Sequence, residues 1–222
     1  MPVDIVVMKA VNEQNARHAA DVRAVLDQAG VVGLNLMSAP GSGKTALLEA
    51  VIKRLGGTLR LGVVEGDVYT ALDAERIAGQ GVPAVQLNTE GSCHLTAHML
   101  KEVLPRFDLG QLDLLVIENI GNLICPASFE LGEHYRVACL STPEGMDKVA
   151  KYPRMFSITQ LNLITKSDLG PLVDYDLAEM RDQLERLNPS APVIVTSARS
   201  GEGLDELCAW LKAVCADRRQ AP

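Results

Sequence analysis

Residues 38–45 read SAPGSGKT, wedged between an unbroken apolar run, VVGLNLM (31–37), and an amphipathic stretch, KTALLEAVIKRL (44–55). No other feature of the 222-residue chain limits its fold so tightly. An apolar run without polar alternation is a strand covered on both faces, the kind found in parallel sheets flanked by helices. After it, Gly41, Ser42 and Gly43 leave backbone N–H groups uncovered at the mouth of the next helix, where the helix dipole favours negative charge. Lys44 adds a fixed positive charge. Strand, bare turn, lysine and helix in that order predict a loop that wraps a chain of phosphates.

The remainder of the chain repeats the strand–helix rhythm. RLGVVEGD, AVQLN, DLLVIEN, YRVACLS, LNLITKS and PVIVTS read as apolar strands. NEQNARHAADVRAVLDQAG reads as a polar opening helix stopped at Gly30, and SCHLTAHMLKEVL as a helix broken before Pro105. DLAEMRDQLERL and GLDELCAWLKAVC read as two later helices. No internal repeat or low-complexity tract interrupts them, and the loops at 66–70, 119–128 and 143–153 are too short to be domain linkers. The expected fold is a single α/β domain over 1–222, a P-loop NTPase with a mostly parallel sheet covered by helices on both faces. Its N-terminal helix spans 10–30 and its nucleotide- and metal-binding core 31–215.

Composition narrows the function classes. With 47% hydrophobic and 22% charged residues the chain can bury a sizeable core. A net charge of −7 and a pI near 5.1 give no electrostatic pull toward nucleic acid or an anionic membrane, so neither is expected as a partner. No apolar run approaches the ~20 residues of a membrane span. The N-terminus carries Asp4 ahead of its short apolar stretch and lacks the basic start of a secretory signal. The five cysteines, at 93, 125, 139, 208 and 215, are odd in number and form no disulfide framework. A reducing, cytoplasmic setting is expected.

Against the phosphate-loop pattern G-x-x-x-x-G-K-[ST], only the first position differs, where Ser38 replaces glycine. Gly41, Ser42, Gly43, Lys44, Thr45 and Ala46 are the expected phosphate contacts, with the Thr45 hydroxyl also directed to Mg²⁺. Far downstream, Thr165-Lys166-Ser167-Asp168 at a strand end resembles the [NT]-K-x-D signature of GTPases. An ionised carboxylate accepts and cannot donate, so Asp168 suits the N1–H and N2–H donors of guanine and repels the N1 lone pair of adenine. The stem of Lys166 can lie along the flat base. Ser197-Ala198 resembles the loop that meets guanine O6 through its main chain, with Arg199 where lysine is usual. Between these segments, Asp67 ends a strand and Glu118-Asn-Ile-Gly121 resembles a D-x-x-G motif with Glu for Asp. Asp67 and Glu118 are expected to hold Mg²⁺ with Thr45, and Gly121 to reach the γ-phosphate. Lys44, Asp67 and Glu118 are thus the expected catalytic residues. Asn122 stands where small G proteins place a glutamine, no residue is an obvious general base, and unassisted hydrolysis should be slow.

A second cluster carries different chemistry. Cys93 and His94 are expected to open a helix, with His98 one turn after His94 on nearly the same face, and Cys125 ends ENIGNLIC. Thiolate with imidazole is a ligand set for Zn²⁺ and Ni²⁺. Cys139, Cys208 and Cys215 sit in apolar patterns and read as core.

Taken in order, SAPGSGKT, EGD, GSCHL, ENIGNLICP, the STPEG…DK…KYP stretch from Ser141 to Pro153, and TKSD resemble the HypB GTPases, over about residues 10–205. The resemblance implies a dimerising P-loop GTPase of the SIMIBI class that assists nickel insertion into [NiFe]-hydrogenase. It places nickel or zinc on Cys93, His94 and Cys125 at a two-fold interface, and His98 matches an auxiliary ligand of some members. It also implies a HypA-type nickel chaperone and the hydrogenase large subunit as partners, and GTP, Mg²⁺ and Ni²⁺ or Zn²⁺ as cofactors. The chain lacks the N-terminal Cys-rich or His-rich stretch of other members, so N-terminal nickel storage is not expected. A urease-accessory GTPase would carry Cys-Pro-His, whereas Ala127 follows Cys125-Pro126 here. A small-molecule kinase would want an adenine pocket, against which Asp168 speaks. A nickel-storage protein with a vestigial nucleotide site would not need Lys44, Thr45 and Asp168 intact.

Overall fold

Successive residues of the central strands face two different apolar layers, which explains why their sequences do not alternate. In β1 (Val32–Ser38), Val32, Leu34 and Leu36 join one core cluster while Met37 joins another on the opposite face. In β4 (Leu114–Glu118), Leu114 and Val116 likewise face away from Leu115 and Ile117. The structure, a computed structural model, describes residues 6–67, 72–89 and 91–220. Among these the seven strands form one sheet in the order β3-β2-β4-β1-β5-β6-β7, with every pair parallel. The others are β2 (Leu61–Asp67), β3 (Ala84–Asn88), β5 (Tyr135–Ser141), β6 (Leu161–Thr165) and β7 (Val193–Val195).

Helix α2 (Lys44–Leu55) and helix α8 (Leu204–Gln220) pack on one face through Leu48, Val51, Leu207 and Leu211. The other face is covered by α1 (Val6–Ala29) and α4 (Ala97–Val103) beside β4, and by α6 (Pro153–Ser157) and α7 (Leu177–Leu187) beside β5 and β6. The chain leaves β1 toward β2 on one side, and later crosses back to β5 on the other. That reversal opens a crevice beyond the C-terminal end of β1, the usual binding place in such sheets.

Several boundaries differ from the sequence reading. The opening helix ends as expected at a left-handed Gly30 (φ 68°) but begins at Val6. Ser92 to Leu95 are not helical: Thr96 is the N-cap of α4, its hydroxyl accepting from Met99 N, so Cys93 and His94 lie in the preceding bend. Three helices absent from the reading are α3 (Leu72–Ala78), α5 (Lys148–Lys151) inside the loop assigned to 143–153, and α6 (Pro153–Ser157) at its end. All are short, so periodicity gives them little signal. Part of the loop read at 66–70 lies outside the described residues. No described helix is long and apolar enough to cross a membrane.

Candidate nucleotide and metal site

The turn between β1 and α2 depends on Gly41 and Gly43 in left-handed conformations (φ 73° and 89°), which place backbone there without a Cβ clash. Ser38, which breaks the usual pattern, is the hub of this loop. Its hydroxyl accepts from Ser42 Oγ (2.6 Å) and from Lys44 Nζ (2.9 Å) while donating to Ala39 O (2.7 Å). A glycine could make none of these side-chain bonds. Strand β6 braces the loop from beside it, where Thr165 Oγ1 donates to Ser42 O (2.8 Å) and Lys166 Nζ to Gly41 O (2.6 Å).

A cleft of about 340 Å³ opens over the loop, lined by Gly41, Gly43, Lys44, Thr45 and Ala46 with Glu65, Asp67, Glu118 and Gly121. Thr45 Oγ1 donates to Glu118 Oε1 (2.9 Å), and Lys44 Nζ lies 4.0 Å from the same oxygen. Glu65, passed over in the sequence for Asp67, is the register partner of Glu118 on the neighbouring strand and is only 2% exposed. Its signal was the EGD tripeptide, in which residues 65 and 67 share a face of the strand. Burial and the adjacent Glu118 push the Glu65 carboxyl up to about 10, and burial also raises Glu118, against the pull of Lys44. Glu65 Oε1 and Glu118 Oε2 are buried without a hydrogen-bond partner. Two carboxylates with orphaned oxygens beside a threonine hydroxyl fit a hard divalent cation with oxygen ligands, as Mg²⁺ requires.

A second hollow of about 270 Å³ continues from the first, lined by Ser42, Ala46, Lys166, Asp168, Ala198 and Arg199. Lys166 is the one non-glycine residue with positive φ (57°) among the described residues, and Thr142 Oγ1 holds its carbonyl at 2.7 Å. Ser197, fully buried, donates from Oγ to Asp168 Oδ1 (2.6 Å) and accepts from Arg199 N and Ser200 N. It orients the carboxylate that the sequence reading assigned to the base, leaving Oδ2 for a ligand donor.

The thiol cluster forms on two loops rather than on one helix. The ligand atoms of Cys93, His94 and Cys125 all lie within 4.8 Å of one another. The two sulfurs are 3.0 Å apart, and His94 Nδ1 is 3.5 Å from Cys93 Sγ. Metal–sulfur bonds of about 2.3 Å at a tetrahedral angle would separate two thiolates by roughly 3.8 Å, a modest opening. The His94 ring stacks on Phe129 (centroids 4.0 Å, 25°), and burial lowers its pKa, favouring the neutral, ligating imidazole. Shared hydrogen bonding with Cys93, then burial, raises the Cys125 thiol. His98 is not drawn into this group: its ring faces His18 of α1 at 5.0 Å. It was placed by helical spacing from His94, and that spacing fails because α4 starts only at Ala97. Cys139, Cys208 and Cys215 are buried in the core.

A phosphate loop at the switch point of a parallel sheet, next to a carboxylate pair, defines the class: a P-loop nucleotide-binding domain, here with a dithiol–imidazole cluster at its edge. The pattern of the CobW/HypB/UreG nucleotide-binding domain matches residues 33–195. The hydrogenase maturation factor HypB of Azotobacter vinelandii is 50% identical over 199 residues, covering 90% of this chain and 66% of its own length. The chain thus spans just under two thirds of that relative. Solved HypB structures from Archaeoglobus fulgidus (39% identity, TM-score 0.86) and from Helicobacter pylori in complex with nickel (34%, 0.87) are similar in fold. The first covers 91% of this chain and 99% of its own, the second 94% and 98%. The chain belongs to the CobW/HypB/UreG family and, within it, to HypB.

Proposed function

We propose that this protein is a GTP-hydrolysing metallochaperone that assists nickel insertion during [NiFe]-hydrogenase maturation, with a nickel or zinc site coupled to its nucleotide state. The carrying observation is that one short segment serves both sites: Glu118 and Gly121 line the phosphate cleft, and Cys125, four residues beyond Gly121, belongs to the thiol cluster. Asp168 selects guanine, and the main chain of Gly41 to Ala46 with Lys44 binds the phosphates. Thr45, Asp67, Glu118 and the newly found Glu65 would hold Mg²⁺, which neutralises charge on the phosphates. Gly121 N–H reaches the γ-phosphate. Without an obvious general base, turnover is slow.

Cys93, His94 and Cys125 supply three donors per chain, one short of a closed tetrahedral shell. A two-fold axis would bring a second set opposite the first, and on this reading the protein works as a GTP- and metal-dependent homodimer. The soft donor set fits Ni²⁺ and Zn²⁺ alike. That relatives are hydrogenase maturation factors, one crystallised with nickel, supports nickel as cargo; a HypA-type chaperone and a hydrogenase large subunit are the partners this reading proposes.

The test is nickel titration of protein loaded with GDP or with a non-hydrolysable GTP analogue, followed by sedimentation. A ratio of affinities of about five- to 150-fold between the states is expected, with dimer formation on metal addition. Equal affinities would leave a GTPase that merely carries a metal.

A further inference from the structure

Two loops bring the thiols together, and a single amide holds both. Asn122 Oδ1 accepts from Ile124 N (2.8 Å) and Cys125 N (3.3 Å), fixing the turn on which Cys125 stands. Its Nδ2 donates to Cys93 O (3.3 Å) across a sequence gap of 29 residues. Two N–H groups on one side and a carbonyl on the other leave only this orientation of the amide. The preceding residue, Gly121, is pressed on the phosphate loop: a Cβ there would meet Pro40 Cα at 2.6 Å. Any shift of the loop against Gly121 therefore arrives at Asn122 one residue later. By contrast, the nearby Asn119 is only 1% exposed and anchored to Asn35 (3.1 Å), while accepting from Leu95 N. It fixes the root of the Cys93 loop and does not touch the turn that carries Cys125.

We propose that Asn122 is the positioning residue that joins the nucleotide state to the thiol cluster, strapping the Cys93 carbonyl to the Cys125 turn so that a displacement at Gly121 changes the spacing of the two sulfurs. The proposal rests on the two-site reading above and names the part that couples them. It assigns the strap to a side chain, whereas a path through backbone alone would make residue 122 replaceable.

Two variants separate the halves of the strap. Asn122→Asp keeps an acceptor for Ile124 N and Cys125 N but sets an anion against the Cys93 carbonyl; Asn122→Ala removes both contacts. Nickel affinity is measured with GDP and with the GTP analogue. A metal-free readout is added, the rate of capture by an arylarsine oxide, which forms two As–S bonds with paired thiols and releases one water. In the parent, both readouts should differ between nucleotide states. In both variants the ratio should collapse toward one, with nickel affinity in Asn122→Asp about five- to ten-fold weaker, the scale of one lost hydrogen bond. Variants that bind nickel more weakly but keep the parental ratio in either readout overturn the proposal and leave Asn122 a structural residue. A parent with no ratio in either readout overturns the two-site reading, and the proposal falls with it.

Discussion

At the C-terminal ends of β2 and β4, Glu65 and Glu118 stand side by side, each with a buried oxygen that no protein group satisfies. At the N-terminal ends of the same sheet the charged groups are paired. His134 Nδ1 accepts from Gly33 N (2.8 Å) and its Nε2–H donates to Asp27 (2.8 Å), which also pairs with Arg218 of α8. Arg60 grips Asp113 through backbone and guanidinium (2.9 and 2.6 Å). The larger cavity, about 660 Å³, lies at this second end, lined by Leu59, Arg60, Phe107 and Leu112 among others. Size alone would choose the wrong end. What sets the C-terminal end apart is its carboxyl pair: Glu65 and Glu118 are buried side by side with orphaned oxygens, and burial holds Glu65 in its protonated form, a state that a cation would relieve.

The largest effect that would break this contrast belongs to Asp168. Asp168→Asn keeps the bond from Ser197, so the fold should be unchanged, while the charged acceptor for guanine is lost. GTP binding should weaken by on the order of 2–3 kcal/mol, and xanthosine nucleotides, whose C2 carbonyl accepts from an amide, should gain. Competition binding of the two nucleotides decides, and a variant that still prefers GTP at parental affinity removes the base assignment.

Glu65 gives a smaller effect of opposite sign on stability. Its folded pKa, about 10, lies above its ordinary value, so between roughly pH 4.5 and pH 10 the folded state holds more protons than the unfolded one. Stability conferred by protonated Glu65 is present below that window and declines as pH rises through it. In chelator, Glu65→Gln should raise the stability at pH 8 by about 1–2 kcal/mol, flatten its decline with pH, and weaken binding of Mg²⁺–nucleotide. Thermal melts at several pH values measure the first two. Lower stability in the variant would mean that the carboxylate pair is relieved from within, and the contrast between the ends would dissolve.

The smallest effect sharpens the paired end. Burial, with the nearby Arg23 and Arg218 charges, holds the His134 pKa below its ordinary value despite Asp27. Its contribution is therefore present above the unfolded pKa, near 6.5, and is lost as pH falls below that through the lowered folded value. A decline of stability below pH 6.5, well under about 1 kcal/mol and absent in His134→Gln, is expected in denaturant titrations. Nucleotide affinity should not follow it.

Much of this was legible along the chain because it is local. Covered strands announce themselves by lack of alternation, and SAPGSGKT and TKSD carry their chemistry in consecutive residues. Of the four residues expected in the thiol cluster, the fold brings Cys93, His94 and Cys125 together and leaves His98 apart, and the scaffold is a pair of loops instead of a helix. Thr96 caps α4 and turns Cys93 and His94 out of the helix, so the expected partner His98 lands against His18 instead. The Thr96 hydroxyl is visible in sequence, yet that it caps the helix three residues later than Cys93 depends on what the helix end packs against.

By itself, then, the sequence determined the strand–helix alternation, the phosphate loop, the TKSD segment and the inventory of soft donors, since each follows from the chemistry of neighbouring residues. Only the tertiary structure decided which distant residues stand together. Register between β2 and β4 sets Glu65 beside Glu118, the close approach of two loops gives Asn122 both thiol-bearing segments to hold, and Ser38 becomes a hub only once the turn folds Ser42 and Lys44 back upon it. The reason is that strand pairing and loop packing are set by burial across the whole sheet, and no window of sequence contains that sum.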